Sequence, residues 1–251
     1  MSVKMSCMKS SMYASFFIAL AVVAYGVYEM VRMSELLRES RTLVAQAVGF
    51  TRSGDYPNSI LVVGDSTAVG VGSAPELSVA GRLANSLNAS VENYAQSGAR
   101  VVDIKEQSSH AQKDSYSLVV IHAGANDVIH STSYQNIERD AKDVLERAHA
   151  LSARVVFLTA GDIGEARLWP RPFAWYMTYR TQKVRAVIKP LVENSGAVYI
   201  DLYTLPSPFA ADPERYYATD FLHLSSDGYG VWTKFLTDAL KKKWPELYAE
   251  A

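Results

Sequence analysis

Residues 60–63, Ile-Leu-Val-Val, form an apolar run without polar alternation that breaks directly into Gly64-Asp65-Ser66. Such a run reads as a strand buried on both faces, the kind found inside a parallel sheet. The turn therefore falls at a carboxyl strand end, the edge at which open α/β sheets bind ligands. Gly64 permits a sharp change of direction, and Asp65 and Ser66 present side chains at the start of the next segment.

Beyond Pro57 short apolar strands alternate with longer amphipathic segments. The pattern predicts strands at 60–63, 91–94, 118–121, 155–158 and 198–200, and helices within 77–87, 134–151 and 181–194. This alternation implies an α/β domain with about five parallel strands covered by helices on both sides. A chain of 251 residues that is 49% hydrophobic supports one such domain plus an appendage. The net charge of -1 offers no basic excess, so nucleic acid is not an expected partner. Cys7 is the only cysteine, and no HExxH, EF-hand or Cys/His spacing occurs, so neither a metal nor another cofactor is expected.

The appendage is N-terminal. After a tail at 1–12, residues 13–28 carry no charge and approach the ~20 residues that span a bilayer. The expectation is a transmembrane signal anchor over 13–31. The alternative is a cleaved signal peptide, for which Val22 and Ala24 are small enough. Lys4 and Lys9 on one side are answered by Arg32, Arg38 and Arg41 on the other, so the positive-inside count is balanced. A large C-terminal domain crosses largely regardless of local charge, which places the domain on the exported side. Between 29 and 48, Met33, Leu36, Leu37, Val44, Ala47 and Val48 recur at helical spacing against a charged face. An amphipathic stalk and linker over 32–57 then leads into the main domain at 58–251.

Three further polar segments sit at strand ends or loops: Asn93 to Gly98, Gly124-Ala125-Asn126-Asp127, and Asp220-Phe221-Leu222-His223. A serine hydroxyl is a weak nucleophile that needs an adjacent base, normally a histidine oriented by a carboxylate. His223 can supply the base for Ser66, with Asp220 on its other ring nitrogen. Ser66 N–H, Gly98 N–H and the Asn126 amide can form an oxyanion hole. Taken singly, the Gly-Asp-Ser turn reads equally as a helix start, Gly98 as a tight turn and Asn126-Asp127 as a cap.

In order, GDS at 64–66, the glycine of NYAQSG at 98, GAND at 124–127 and DFLH at 220–223 resemble the blocks of the SGNH, or GDSL, hydrolase family. The resemblance covers roughly 59–240 and is to a bacterial, membrane-anchored esterase-like member. It implies a three-layer α/β/α, flavodoxin-like fold and metal-free serine hydrolysis of esters. By position it makes Ser66 the nucleophile and an oxyanion donor, Gly98 and Asn126 the other donors, Asp220 the orienting acid and His223 the base. Thr67 stands where the name motif has leucine. Substrates so implied are short acyl esters, lysophospholipids, thioesters or O-acetylated glycans, with the domain outside a bacterial inner membrane, or secreted if the N-terminal segment is cleaved. Acyl transfer to a sugar hydroxyl uses the same residues, and a glycan- or lipid-binding module without turnover is the rival from another class.

Substrate contacts are expected from the stretch 161–180, read as a wall or lid, in which Trp169, Phe173 and Trp175 stand out. The same aromatics would also suit packing over the sheet.

Overall fold

The structure, a computed structural model, describes residues 2–204 and 208–249, with side chains for Tyr13 and from Ser15 onward. The side chains of Lys4, Cys7 and Lys9 lie outside the described residues. Helix α1 (Ser2–Gln46) runs unbroken through the segments expected as tail, span and stalk. Then come β1 (Asn58–Gly64), the short α2 (Ser66–Val69), α3 (Val79–Ser86), β2 (Ala89–Asn93), α4 (Ile104–Ser109), β3 (Leu118–His122), α5 (Ala125–Ile129) and α6 (Tyr134–Leu151). The chain closes with β4 (Val155–Leu158), α7 (Arg171–Asn194), β5 (Val198–Ile200), α8 (Pro213–Tyr216) and α9 (Ser226–Lys243).

Among the described residues the strands form one five-stranded sheet, ordered β2-β1-β3-β4-β5, with every neighbouring pair parallel. The unalternating run at 60–63 explains the layers. Ile60 and Val62 pack with Val120, Val156, Leu83 of α3 and Tyr229 and Leu236 of α9. Leu61 and Val63 pack on the other face with Ile121, Phe157, Ile137 of α6 and Val184 and Ile188 of α7. All four β1 residues are at most 3% exposed, as period-2 packing between two helical layers requires. The three-layer α/β/α architecture follows.

Helix starts obey local chemistry. Ser78, Ser133 and Ser225 cap α3, α6 and α9 by accepting from Gly81, Asn136 and Gly228 N–H. Helix α7 begins ten residues before the 181–194 segment that its apolar spacing predicts. Pro172 lies in the first turn, where the missing N–H costs nothing, so prolines that read as loop residues open a helix instead.

Two N-terminal segments are fastened to the domain. In the expected linker, Arg52 forms an antiparallel bridge with Val91, and its guanidinium donates to the Ala89 and Ala84 carbonyls and to Asn85 Oδ1. The bridge blunts the free edge of β2. Along α1, Met33, Leu36, Leu37, Ser40 and Val44 lose exposure against the domain. Thr219 Oγ1 donates to Glu39 Oε1 at 2.6 Å, and Arg32 donates to the Arg167 carbonyl at 2.5 Å. Residues 15–28 of the same helix are exposed throughout.

Candidate active site

Ser66 is set by the backbone at the point where strand order reverses, between β1 and β3. Gly64 has φ +149°, and a Cβ there would stand 2.2 Å from the His122 carbonyl oxygen at the end of β3. Only glycine allows that approach. The Gln107 side chain on α4 accepts from Gly64 N–H at 2.7 Å and donates to Gly64 C=O at 3.0 Å, clamping the last residue of the strand. Asp65 N–H donates to His122 C=O at 3.0 Å, while Asp65 Oδ1 caps α2 by accepting from Thr67 N–H. Ser66 follows as the first residue of α2.

The base arrives from the segment before α9. Asp220 and His223 are held in a turn in which Phe221 takes φ +52°, unusual for a bulky residue, and Ala218 N–H donates to His223 C=O at 2.8 Å. Asp220 Oδ1 accepts from Leu222 and His223 N–H, leaving Oδ2 to meet His223 Nδ1 at 2.6 Å. His223 Nε2 stands 3.0 Å from Ser66 Oγ. Asp220 is fully buried and His223 is 8% exposed. Tyr229, buried on α9, donates to Val71 C=O at 2.9 Å and ties the helix after His223 to the segment after Ser66.

Gly98 and Asn126 reach the same place from the neighbouring strand ends. Gln96 N–H donates to Gly64 C=O, laying the Asn93–Gly98 loop along the end of β1. Gly98 has φ +87° with open space where a Cβ would project. Neither Ser66 N–H nor Gly98 N–H donates to another described group. Asn126 Nδ2 donates one hydrogen to Ala99 C=O at 3.0 Å, which fixes its amide plane. Asp127 Oδ2 accepts from Val101 N–H, and Arg180 donates to the Asp127 and Thr132 carbonyls, holding the loop that carries Asn126.

Burial raises the Asp220 carboxyl, but the hydrogen bond and charge of His223 with two backbone N–H groups outweigh it and hold the carboxyl below its ordinary value. It stays ionised beside His223. Burial pushes Asp65 up to about 6 against the Thr67 hydrogen bonds and the His223 charge. Burial likewise raises Asp127 and lowers His122 to about 3, so the imidazole under the site is neutral. No group of three or more His, Cys, Asp or Glu side chains suited to a metal gathers among the described residues.

Ser66, Gly98, Asn126 and His223 line one cavity of about 520 Å³. Trp169, Phe173 and Trp175 do not line it. Because α7 starts early, Phe173 and Trp175 project from its outer face, and Trp169 packs against the core with its ring 5.4 Å from Phe173. The apolar walls are Ile163 and Ala166 ahead of α7, Leu202, Phe209 and Tyr217 between β5 and α9, and Trp232. Ser40 and Val44 of α1 also line the cavity, as do the acidic Asp162 and Glu165. Sequence spacing displayed the stripe on α1 but not its target, and nothing in the sequence singled out Gln107.

The profile of the GDSL-like lipase/acylhydrolase family matches residues 62–231, about two thirds of the chain. No curated relative matches. Among solved structures, LAE5, an alpha/beta hydrolase enzyme from the metagenome of Lake Arreo, is 16% identical with a TM-score of 0.58, covering 74% of this chain and 96% of its own. A member of the lipolytic protein G-D-S-L family from Veillonella parvula is 17% identical with a TM-score of 0.58, covering 74% and 98%. The psychrotrophic esterase EstA from Pseudoalteromonas is 16% identical with a TM-score of 0.57, covering 74% and 97%. These likenesses concern the fold. The family match spans β1 to α9, and on it the chain belongs to the GDSL-like lipase/acylhydrolase family of ester-hydrolysing enzymes.

Proposed function

We propose that the protein is a membrane-anchored carboxylic esterase that works through an acyl-enzyme on Ser66. The observation that carries this reading is the continuous line from Asp220 through His223 to a serine hydroxyl facing the cavity. His223 Nε2 takes the Oγ proton as Oγ attacks the ester carbonyl, and Asp220 stabilises the imidazolium. The oxyanion is met by Ser66 N–H, Gly98 N–H and the free Asn126 amide hydrogen. The carbon–alkoxide bond breaks, and the alcohol leaves with the proton from His223. Water then attacks the acyl carbon while His223 takes its proton, releasing the acid and restoring the serine.

The apolar walls suit the acyl part of a lysophospholipid, thioester or simple ester, and the cavity also has room for an acetylated sugar. Anchoring rests on the exposed apolar length of α1 and on its unbroken continuation into a helix that walls the cavity. The domain lies on the exported side, and the anchor is retained. A C-terminal phosphatase fusion reports the side, and the intact mass of protein extracted from membranes reports retention.

Turnover of p-nitrophenyl esters from acetate to long acyl chains, by the full chain in mild detergent, tests the chemistry. Ser66→Ala is expected to lower kcat by at least about a thousandfold with its unfolding midpoint unchanged. A fluorophosphonate is expected to label Ser66. Turnover that survives Ser66→Ala defeats the acyl-enzyme.

A further inference from the structure

The geometry points to the outer face of the first turns of α7 as a membrane-docking surface that sets the cavity against the lipid headgroups. The ester it takes is then the acyl ester of a membrane-resident amphiphile. This deepens the esterase reading and rests on it.

The aromatics expected either as a pocket wall or as packing over the sheet are the starting point. Pro172, Trp175, Tyr176, Tyr179 and Lys183 recur at helical spacing on one exposed face of α7, while Met177, Arg180, Thr181 and Val184 are buried beneath it. Trp175 is 69% exposed and Tyr179 52%. Aromatic rings flanked by Arg171 and Lys183 have the composition that settles at a bilayer interface, where amphipathic rings sit among headgroups and cations meet phosphates.

The occupant is fixed by where α1 holds this face. Residues 13–31 make about 28 Å of helix at ~1.5 Å per residue, close to the ~30 Å of hydrocarbon in a bilayer. Glu29 is the first charge after the uncharged run, and Arg32, paired with it, donates to the carbonyl of Arg167, just ahead of α7. The start of α7 is thus pinned at the level where α1 leaves the hydrocarbon. Ser40, on the cavity wall, lies eight residues beyond Arg32, about 12 Å further along the axis. Ile163 and Ala166, ahead of α7, form part of the same cavity. An ester at headgroup depth is therefore about two helix turns from the cavity, along a path walled by α1.

The test uses the full chain in vesicles of phosphatidylcholine and phosphatidylglycerol. Lipids brominated near the carbonyl end of the acyl chain are expected to quench tryptophan fluorescence, and Trp175→Phe is expected to remove most of the quenched fraction. Equal quenching in both proteins, or a Trp175 buried in a crosslinkable dimer and inaccessible to the bromines, overturns the inference. The second arm compares turnover of vesicle-embedded 1-palmitoyl-lysophosphatidylcholine with that of dissolved p-nitrophenyl acetate. Trp175→Ser/Tyr179→Ser is expected to lower the first about tenfold or more and leave the second within about twofold. Loss of neither overturns the docking face alone. If wild type turns over neither ester, the esterase reading has failed, and the quenching arm still decides whether the face meets lipid.

Discussion

Asp65→Asn separates a pH-dependent contribution to stability that the position of Asp65 dictates. The side chain is 1% exposed, its Oδ2 has no partner among the described residues, and burial lifts its carboxyl from 3.8 to about 6. Because the folded value exceeds the unfolded one, the folded state binds the proton more tightly. The stabilisation is fully present below about pH 4 and is lost as pH rises through about 6. Roughly two pKa units at about 1.4 kcal/mol each give ~3 kcal/mol.

His122 acts in the opposite sense. Its imidazole is lowered by burial from 6.5 to about 3, so its contribution is present above pH 6.5 and lost as pH falls. Wild-type stability alone mixes the two slopes. The difference between wild type and Asp65→Asn cancels the histidine. The new amide places a donor where Oδ2 was unpartnered, a cost of about 1–3 kcal/mol at every pH, which shifts the difference without tilting it. Urea unfolding of the full chain in mild detergent, followed by tryptophan fluorescence from pH 4 to 7.5, is expected to show wild type losing about 2–3 kcal/mol relative to the variant across that range. A flat difference, or one that grows with pH, refutes the argument that burial governs Asp65.

Gln107→Ala removes both side-chain hydrogen bonds on Gly64 and leaves its buried N–H without that partner, while the C=O keeps the Gln96 N–H. It is expected to cost about 1–3 kcal/mol in urea unfolding and to lower kcat more than it changes KM; an unchanged kcat would mean that the strand end needs no clamp. Asp220→Asn keeps an oxygen for the Leu222 and His223 N–H groups but presents an NH2 to His223 Nδ1, forcing the proton onto Nε2. On the order of a 10⁴-fold loss in kcat is expected, and a loss under about tenfold would show that the carboxylate does not set the tautomer. A chain beginning at Gly49 loses the Ser40 and Val44 wall and the Glu39 bond, whereas one beginning at Tyr25 keeps them. The KM for long-chain esters is expected to rise only in the shorter protein, and equal values would leave α1 no part in the cavity.

The sheet was legible because parallel strands hidden on both faces must be apolar throughout, and the predicted strands fall on β1 to β5 within two residues. The polar groups at the strand ends were legible for the same reason, since topology puts Ser66, Gly98 and Asn126 on one edge. The sequence left the aromatics of 161–180 between pocket wall and packing because proline in a first helical turn looks like proline in a loop; Trp169 takes the packing alternative. The linker misled because Arg52 acts through its backbone and a guanidinium directed at carbonyls, and a lone arginine gives no periodic signal. The cavity wall on α1 was half legible: the 3.6-residue stripe shows that a face is covered and never by what.

The two sides of the Ser66–His223 pair are held by unequal means. Ser66 rests on the strand pairing of β1 with β3, on the close approach at Gly64 and on the Gln107 clamp, all within the core of the sheet. His223 rests on a turn with a left-handed phenylalanine, an isolated Tyr217–Leu224 bridge and the Tyr229 tie. Thr219, beside Asp220, bonds to Glu39 on α1. Helix α1 therefore bears on the loop of the base and not on the nucleophile. Loss of the Thr219–Glu39 bond is expected to disturb Asp220 and His223 before Ser66, which the sheet holds in place.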